Sequence, residues 1–323
     1  MSGGCQNGDQ IPKGGAKMGP DELFQRAVIA RRYYLEGRTR IQIAEEFGIS
    51  RFKVARELDE ALSSGMVEIT IRNPGSTDLE LSTELQRRFG LEHAYVVVTD
   101  DHTPDERSDA VAKATAELLQ SILREEDVVG VDCGRTLTKV ANHLTSLPRS
   151  DVVQLTGMAG ALTSNGADLV RRISEVSGGK SWPLYAPLVV ADARTAASLA
   201  GNHQIQETVA RHAKVTCAIV SIGAWSPGAS QVYESLTTDE AHELERAGVC
   251  AETCALLLDA DGVRMPGLDE RRMGVEETTL RAIPTVIAVA AGPQKIAATQ
   301  AVLRSGLVSS IVTDAEIAAA VLA

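Results

Sequence analysis

Residues 38–64 read RTRIQIAEEFGISRFKVARELDEALSS, and this stretch decides how the chain is organised. Thr39 can cap a short helix whose apolar positions are Ile41, Ile43, Ala44 and Phe47. Gly48 ends that helix, because Gly takes positive φ without a steric penalty. Ile49 fills the gap before a second helix, which Ser50 can cap. On the second helix Phe52, Ala55, Leu58, Ala61 and Leu62 recur at three- and four-residue spacing, which predicts a buried stripe. Arg51, Lys53 and Arg56 face the other way near its start. The pattern predicts a helix-turn-helix, in which the first turns of the second helix enter the major groove. Arg and Lys placed there pair with guanine edges or phosphates. The candidate DNA contacts are Arg38, Arg40, Ser50, Arg51, Phe52, Lys53 and Arg56. Residues 21–36 (DELFQRAVIARRYYLE) supply a preceding helix, with Leu23, Ala27, Val28, Tyr34 and Leu35 as support. The alternative is an ordinary helical hairpin; the basic turn that follows A-x3-G-I-S favours the DNA reader.

The chain has 323 residues, 44% of them hydrophobic, enough for a small domain and a large one. Aromatic residues make up only 3%, so Ala, Val and Leu must build an α/β core. The net charge of −11 argues against a protein that coats nucleic acid without regard to sequence. It leaves room for a local reader: residues 21–72 hold nine Lys/Arg and nine Asp/Glu, so the acidity lies elsewhere. A neutral module with a basic helix tip binds DNA in a matched geometry, which predicts a homodimer or homotetramer.

Five scattered cysteines (Cys5, Cys133, Cys217, Cys250, Cys254) and the lack of a leader or of an apolar run of ~20 residues predict a cytoplasmic chain with reduced thiols and no membrane contact. Cys250, Cys254 and His242 do not have zinc-site spacing, so no metal and no cofactor are expected. Asp259-Ala260-Asp261-Gly262 lacks the later Glu of a calcium loop and reads as a turn. Trp182 and Tyr185 read as packing, and His102, His203 and His212 as surface.

Along the chain, residues 1–19 read as a disordered tail, 20–72 as the helix-turn-helix domain, 73–92 as a linker and helix, and 93–323 as an effector-binding and oligomerisation domain. Residues 66–72 (MVEITIR) predict a short wing strand. From residue 93 onward, apolar runs at 93–100, 127–132, 151–156, 187–190, 215–222, 253–258, 285–290 and 308–313 alternate with helical segments. That order predicts a doubly wound, mainly parallel sheet covered on both faces.

Ligands of such sheets bind beyond the carboxyl ends of the strands. Three segments there end in small residues: Gly130–Thr136 (GVDCGRT), Thr156–Gly160 (TGMAG) and Ala290–Lys295 (AAGPQK). Free N–H groups at a helix start, with Arg135, Thr136 and Lys295 beside them, suit the phosphate of a small molecule. None of the three is a dinucleotide or Walker loop.

The order of motifs resembles the SorC family of sugar-responsive bacterial transcription regulators across nearly all of residues 20–323. The resemblance rests on GISRFKVARELDEALSSG (48–65), VGVDCGRTL (129–137), YAPLVV (185–190), VSIGAW (220–225) and IAVAAGPQKIAATQAVLRSGLVSSIVTD (287–314). It implies a helix-turn-helix joined to a domain related to sugar-phosphate isomerases and glucosamine-phosphate deaminases. It further implies operator DNA and a phosphorylated sugar or polyol as partners. Carried over by position, Gly134, Arg135 and Thr136 match the phosphate loop, and Gly157, Met158 and Ala159 the next ligand-facing loop. Ala224 borders the pocket, Glu252 matches the acid that contacts sugar hydroxyls, and Lys295 the lysine near the phosphate. Asp132, Arg135 and Pro293 depart from the family pattern, which leaves open whether Arg135 takes a phosphate or a carboxylate. No catalytic residue is expected. The rival reading is an isomerase- or deaminase-like enzyme with a DNA module, for which Asp132, Glu252 and His143 would be the candidate bases.

Overall fold

The computed structural model describes residues 19–69, 76–99, 103–159 and 166–323. The expected tail up to residue 18, Gly160, His102, most of the linker turn and the last three residues of the expected wing lie outside them. The chain divides into two compact units, 1–72 and 73–323.

The first unit holds three helices, α1 (Pro20–Tyr34), α2 (Arg40–Phe47) and α3 (Arg51–Ser63). Local chemistry sets their ends. Thr39 and Gln42 form a reciprocal capping box on α2, and Gly48 closes it in the left-handed region at φ 63°. Ser50 accepts from the Lys53 N–H at 3.2 Å to start α3; each such cap stabilises a helix by ~1 kcal/mol. Ile29, Ala30, Ile43, Val54, Leu58 and Ala61 are buried together, with Tyr33, Tyr34, Phe47 and Ile49 against them. The buried stripe of α3 is therefore Val54, Leu58 and Ala61, and the expected stripe is corrected: Phe52 is 73% exposed and Leu62 40%. Of the support expected from 21–36, Leu23, Ala27 and Leu35 are exposed, and the packing falls instead to Ile29 and Ala30. Arg26 is buried between α1 and α3, bonded to Glu57 at 2.9 Å and to Glu60. Met66–Ile69 has no strand, so the described part of the expected wing is irregular.

Among the described residues the second unit has a seven-stranded sheet, every neighbouring pair parallel. Its strands are β1 (His93–Val97), β2 (Val128–Val131), β3 (Asp151–Gln154), β4 (Ser181–Trp182), β5 (Cys217–Ser221), β10 (Thr285–Val289) and β11 (Ser310–Asp314), in the order β1-β11-β10-β5-β2-β3-β4. The helices are α4 (Leu79–Phe89), α5 (Pro104–Ile122), α6 (Arg135–His143), α7 (Gly166–Ser177), α8 (Ala193–Ala200), α9 (His203–His212), α10 (Gln231–Glu234), α11 (Thr238–Arg246), α12 (Glu277–Ala282), α13 (Ile296–Ser305) and α14 (Ala315–Leu322). Alternate strand residues point to opposite faces. Ala218, Val220, Val286 and Ala288 pack on one side with α13 and α14, while Cys217, Ile219, Ile287 and Val289 pack on the other with α5 and α6. Both faces are covered, as a parallel sheet requires. Leu85 of α4 is fully buried in the first of these clusters, so α4 belongs to the sheet unit.

The expected strand at 253–258 is instead a hairpin. β7 (Ala251–Thr253) turns through Cys254 and Ala255, both at positive φ (50° and 57°), into β8 (Leu256–Leu258). With β6 (Gly223–Ala224) and β9 (Arg264–Met265) it forms a small antiparallel sheet, β6-β7-β8-β9. The run 187–190 makes only isolated bridges, Met158 to Pro187 and Val189 to Arg272. His212, expected at the surface, is 3% exposed and meets the Gln154 carbonyl through Nε2 at 2.9 Å. Trp182 packs under the Arg211 guanidinium, 3.0 Å from its ring centroid, whereas Tyr185 is 59% exposed. Among the described residues no helix is long and apolar enough to cross a membrane.

Candidate functional site

In the first unit Ser50, Arg51, Phe52, Lys53 and Arg56 are all exposed at the start of α3. The Arg51 guanidinium lies 5.0 Å from the Phe52 ring centroid, so the two form one cationic and apolar tip. Arg40 lies 5.7 Å from the Tyr33 ring centroid. Arg38 is committed differently: it pairs with Glu46 at 3.2 Å and Glu36 at 3.8 Å. Its charge is spent inside the unit, which separates it from the α3 group.

In the second unit β10, β5 and β2 are neighbours, and beyond their carboxyl ends lies a cavity of about 550 Å³. Gly134, Arg135, Thr136, Glu252 and Lys295 line it together, from three separate segments of chain. Ser221 and α10, which the sequence reading missed, line it too. Ser221 carried a faint signal as a polar residue ending an apolar strand. The four-residue α10 carried none.

Gly134 starts α6 without any side-chain cap, whereas Thr103, Asn202, Thr237 and Asp314 cap their helices through side-chain oxygens. A Cβ at Gly134 would meet Ser221 Cβ at 2.9 Å, so only glycine lets α6 begin this close to β5. Uncapped N–H groups and the helix dipole make this end receptive to an anion. Across the cavity Gly292, at φ 94°, leads into the 3-10 turn Pro293–Lys295 and then α13, again without a side-chain cap. Arg135 extends from α6 to the Gly228 carbonyl and stands 3.7 Å from Glu234. Lys139 is tied to Asp105 at 2.5 Å.

Two groups at the site are electrostatically poised. Glu252 accepts from Ser230 Oγ at 2.9 Å and from the Ala255 N–H at 3.3 Å. Burial, and secondarily the charge of Asp132, push its pKa up to about 7. Lys295 donates to the Ile222 carbonyl at 2.6 Å. Burial pulls its pKa down to about 8; Glu252 opposes that shift and Arg135 adds to it. A Cβ at Gly223 would fall 2.0 Å from Glu252 Oε1, so glycine there is what gives the carboxylate its place. Asp132 is buried and saturated: it accepts from the Cys133 N–H, Thr156 Oγ1, the Ser221 N–H and Ser221 Oγ. Desolvation raises its pKa. Asp132 thus pins three strand ends and offers no oxygen to a ligand.

Four expected effector residues stand elsewhere. The Gly157 N–H donates to Met273 O at 2.7 Å, and Met158 exchanges hydrogen bonds with Ala186 and Leu188. A Cβ at Gly157 would fall 2.4 Å from the Pro187 carbonyl, so that loop is filled by backbone. Ala159 packs with Cys133, Leu188 and Trp225, and Ala224 is 7% exposed in the core. None of the four lines the cavity. His143 faces Asp109 at 2.8 Å and is not among the lining residues either. Among the described residues no cluster of three His, Cys, Asp or Glu could hold a metal ion.

Residues 73–323 match the family model described as "Putative sugar-binding domain". The chain belongs to this family. Curated relatives extend the likeness over the helix-turn-helix. The transcriptional regulator LsrR of Klebsiella pneumoniae is 28% identical over 315 residues, 96% of this chain and 95% of its own. LsrR of Escherichia coli is 26% identical over 313 residues, 95% of this chain and 97% of its own. The full-length sorbitol operon regulator SorC of K. pneumoniae shares the fold, with a TM-score of 0.72 at 22% identity over 94% of this chain and 100% of that one. A DeoR family transcriptional regulator from Listeria monocytogenes has a TM-score of 0.69 at 27% identity, covering 75% of this chain and 98% of that chain. The SorC membership implied by the motifs therefore holds for this sugar-binding-family chain.

Proposed function

We infer that this chain is a DNA-binding transcriptional regulator of the SorC type, with a sugar-binding domain that sets its hold on operator DNA. Its effector is a phosphorylated sugar or polyol. The observation that carries this is the pairing of two uncapped helix starts, α6 and the turn into α13, around one cavity with Arg135 and Lys295. The phosphate takes the α6 N–H groups and a cation. Glu252, neutral below about pH 7 and charged above it, takes sugar hydroxyls.

The protein acts as a homo-oligomer in the cytoplasm and does no chemistry on its effector. Asp132 has its oxygens engaged by protein donors, and Glu252 and Lys295, the poised groups that line the cavity, serve as contacts to hydroxyl and phosphate in this reading. Effector binding shifts the population of oligomer arrangements, and one of these matches the operator spacing. A gel-shift titration with phosphorylated and free forms of the same sugars tests this. A response to the phosphorylated forms alone supports it; measured turnover of a sugar phosphate favours the enzyme instead.

A further inference from the structure

The α10 segment crosses the cavity, and the structure pins it on both sides of Gln231. Upstream, Arg135 holds the Gly228 carbonyl. Ser230 caps α10 through the Tyr233 N–H at 3.2 Å and gives its hydroxyl proton to Glu252. Downstream, Glu234 faces Arg135 at 3.7 Å. Gln231 itself lines the cavity, yet its Oε1 is enclosed and meets no donor among the described residues. A buried carbonyl oxygen with no donor destabilises whatever conformation encloses it. The segment is therefore held in place by its neighbours against the preference of Gln231.

We propose that Gln231 is a specificity-determining residue: its side-chain amide turns into the cavity and accepts a hydrogen bond from an effector hydroxyl. The inference rests on the sugar-phosphate reading of the same cavity. Arg135 couples the two events. An anion at the α6 start draws the guanidinium off Gly228 and Glu234, which frees the segment to turn. Hydroxyl recognition thereby follows anion recognition, and inorganic phosphate alone does not engage Gln231.

Gln231→Met keeps the length of the side chain and removes its acceptor. The full-length wild type and this variant are compared by calorimetric titration with D-glucitol 6-phosphate, free D-glucitol and inorganic phosphate, and by thermal melting without added ligand. The expected result is a pair of opposite changes. The variant melts about 2–4 °C higher, because the enclosed unpaired oxygen is gone. It binds D-glucitol 6-phosphate roughly tenfold more weakly, with phosphate affinity unchanged. A lower melting point, or equal sugar-phosphate affinity in the two proteins, overturns the role of Gln231 while phosphate binding still stands. If the wild type binds no phosphate group but binds D-glucitol in a Gln231-dependent way, Gln231 keeps its role, and both the phosphate reading and the Arg135 coupling fall.

Discussion

Ser221 gives both its backbone N–H and its hydroxyl proton to Asp132 Oδ2, at 3.1 and 3.0 Å, and so ties the end of β5 to the end of β2. Thr156 adds a third strand through Asp132 Oδ1 at 2.7 Å. Asp132→Ala removes the acceptor of the Ser221 N–H and the Thr156 hydroxyl, while the Cys133 N–H keeps Thr156 Oγ1 and Ser221 Oγ keeps the Cys133 carbonyl. The variant is expected to lose about 2–4 kcal/mol in urea unfolding. Loss of under about 0.5 kcal/mol would show that these bonds are idle.

Glu252 makes stability depend on pH with a definite sign. Burial raises its pKa in the folded chain from the ordinary carboxylate value of 4.5 to about 7. Its contribution is fully present below pH 4.5 and is lost as pH rises through about 7. Glu252→Gln keeps an acceptor for Ser230 and cannot ionise. The wild type should therefore lose stability from pH 5 to pH 8 relative to this variant, by up to about 3 kcal/mol. Parallel stability curves for the two proteins would contradict the assignment.

Lys295 gives a second pH-dependent expectation, this one for anion affinity. Its ammonium deprotonates near pH 8. Affinity for a sugar phosphate should fall between pH 7 and 9, and Lys295→Met should abolish most of that fall. Arg135→Ala should weaken sugar-phosphate binding roughly tenfold or more while sparing the free sugar. Titration calorimetry across pH reads both. Equal losses for phosphorylated and free sugar would place Arg135 outside the phosphate contact.

Val54 and Phe52 are two residues apart on α3 and should behave oppositely. Val54 is fully buried and Phe52 is 73% exposed. Val54→Ala should destabilise the first unit by about 1–3 kcal/mol. Phe52→Ala should change stability by less than about 0.5 kcal/mol and still weaken DNA binding. Melting curves paired with DNA titrations separate the two effects.

The helix-turn-helix was legible because its punctuation is local: Thr39, Gly48 and Ser50 act within four residues of themselves. The stripe of α3 was misread because Phe52 and Val54 are both apolar, and only packing against α1 and α2 tells them apart. The parallel strands were legible as Val/Ile/Ala runs. The hairpin at 253–256 was not, because Cys254 and Ala255 take positive φ without the Gly or Asn that usually marks such a turn. In the site, Gly134, Arg135 and Lys295 follow strands directly, so a strand-end rule finds them. The Gly157–Ala159 loop obeys the same rule but is filled by Pro187 and Met273, partners distant in sequence. Gln231 and Ser230 belong to a segment with no periodic pattern at all.

The most direct test is fluorescence anisotropy of labelled operator DNA with the full-length protein, titrated with a panel of sugar phosphates and their free sugars. Salt-dependent, sequence-selective binding is expected, which Arg51→Ala, Lys53→Ala and Arg56→Ala each weaken. At least one sugar phosphate should shift the binding curve, its free sugar should not, and Arg135→Ala should remove the shift while leaving DNA binding intact. DNA binding that no phosphorylated sugar alters, or a shift that survives Arg135→Ala unchanged, would contradict a phosphate-sensing regulator.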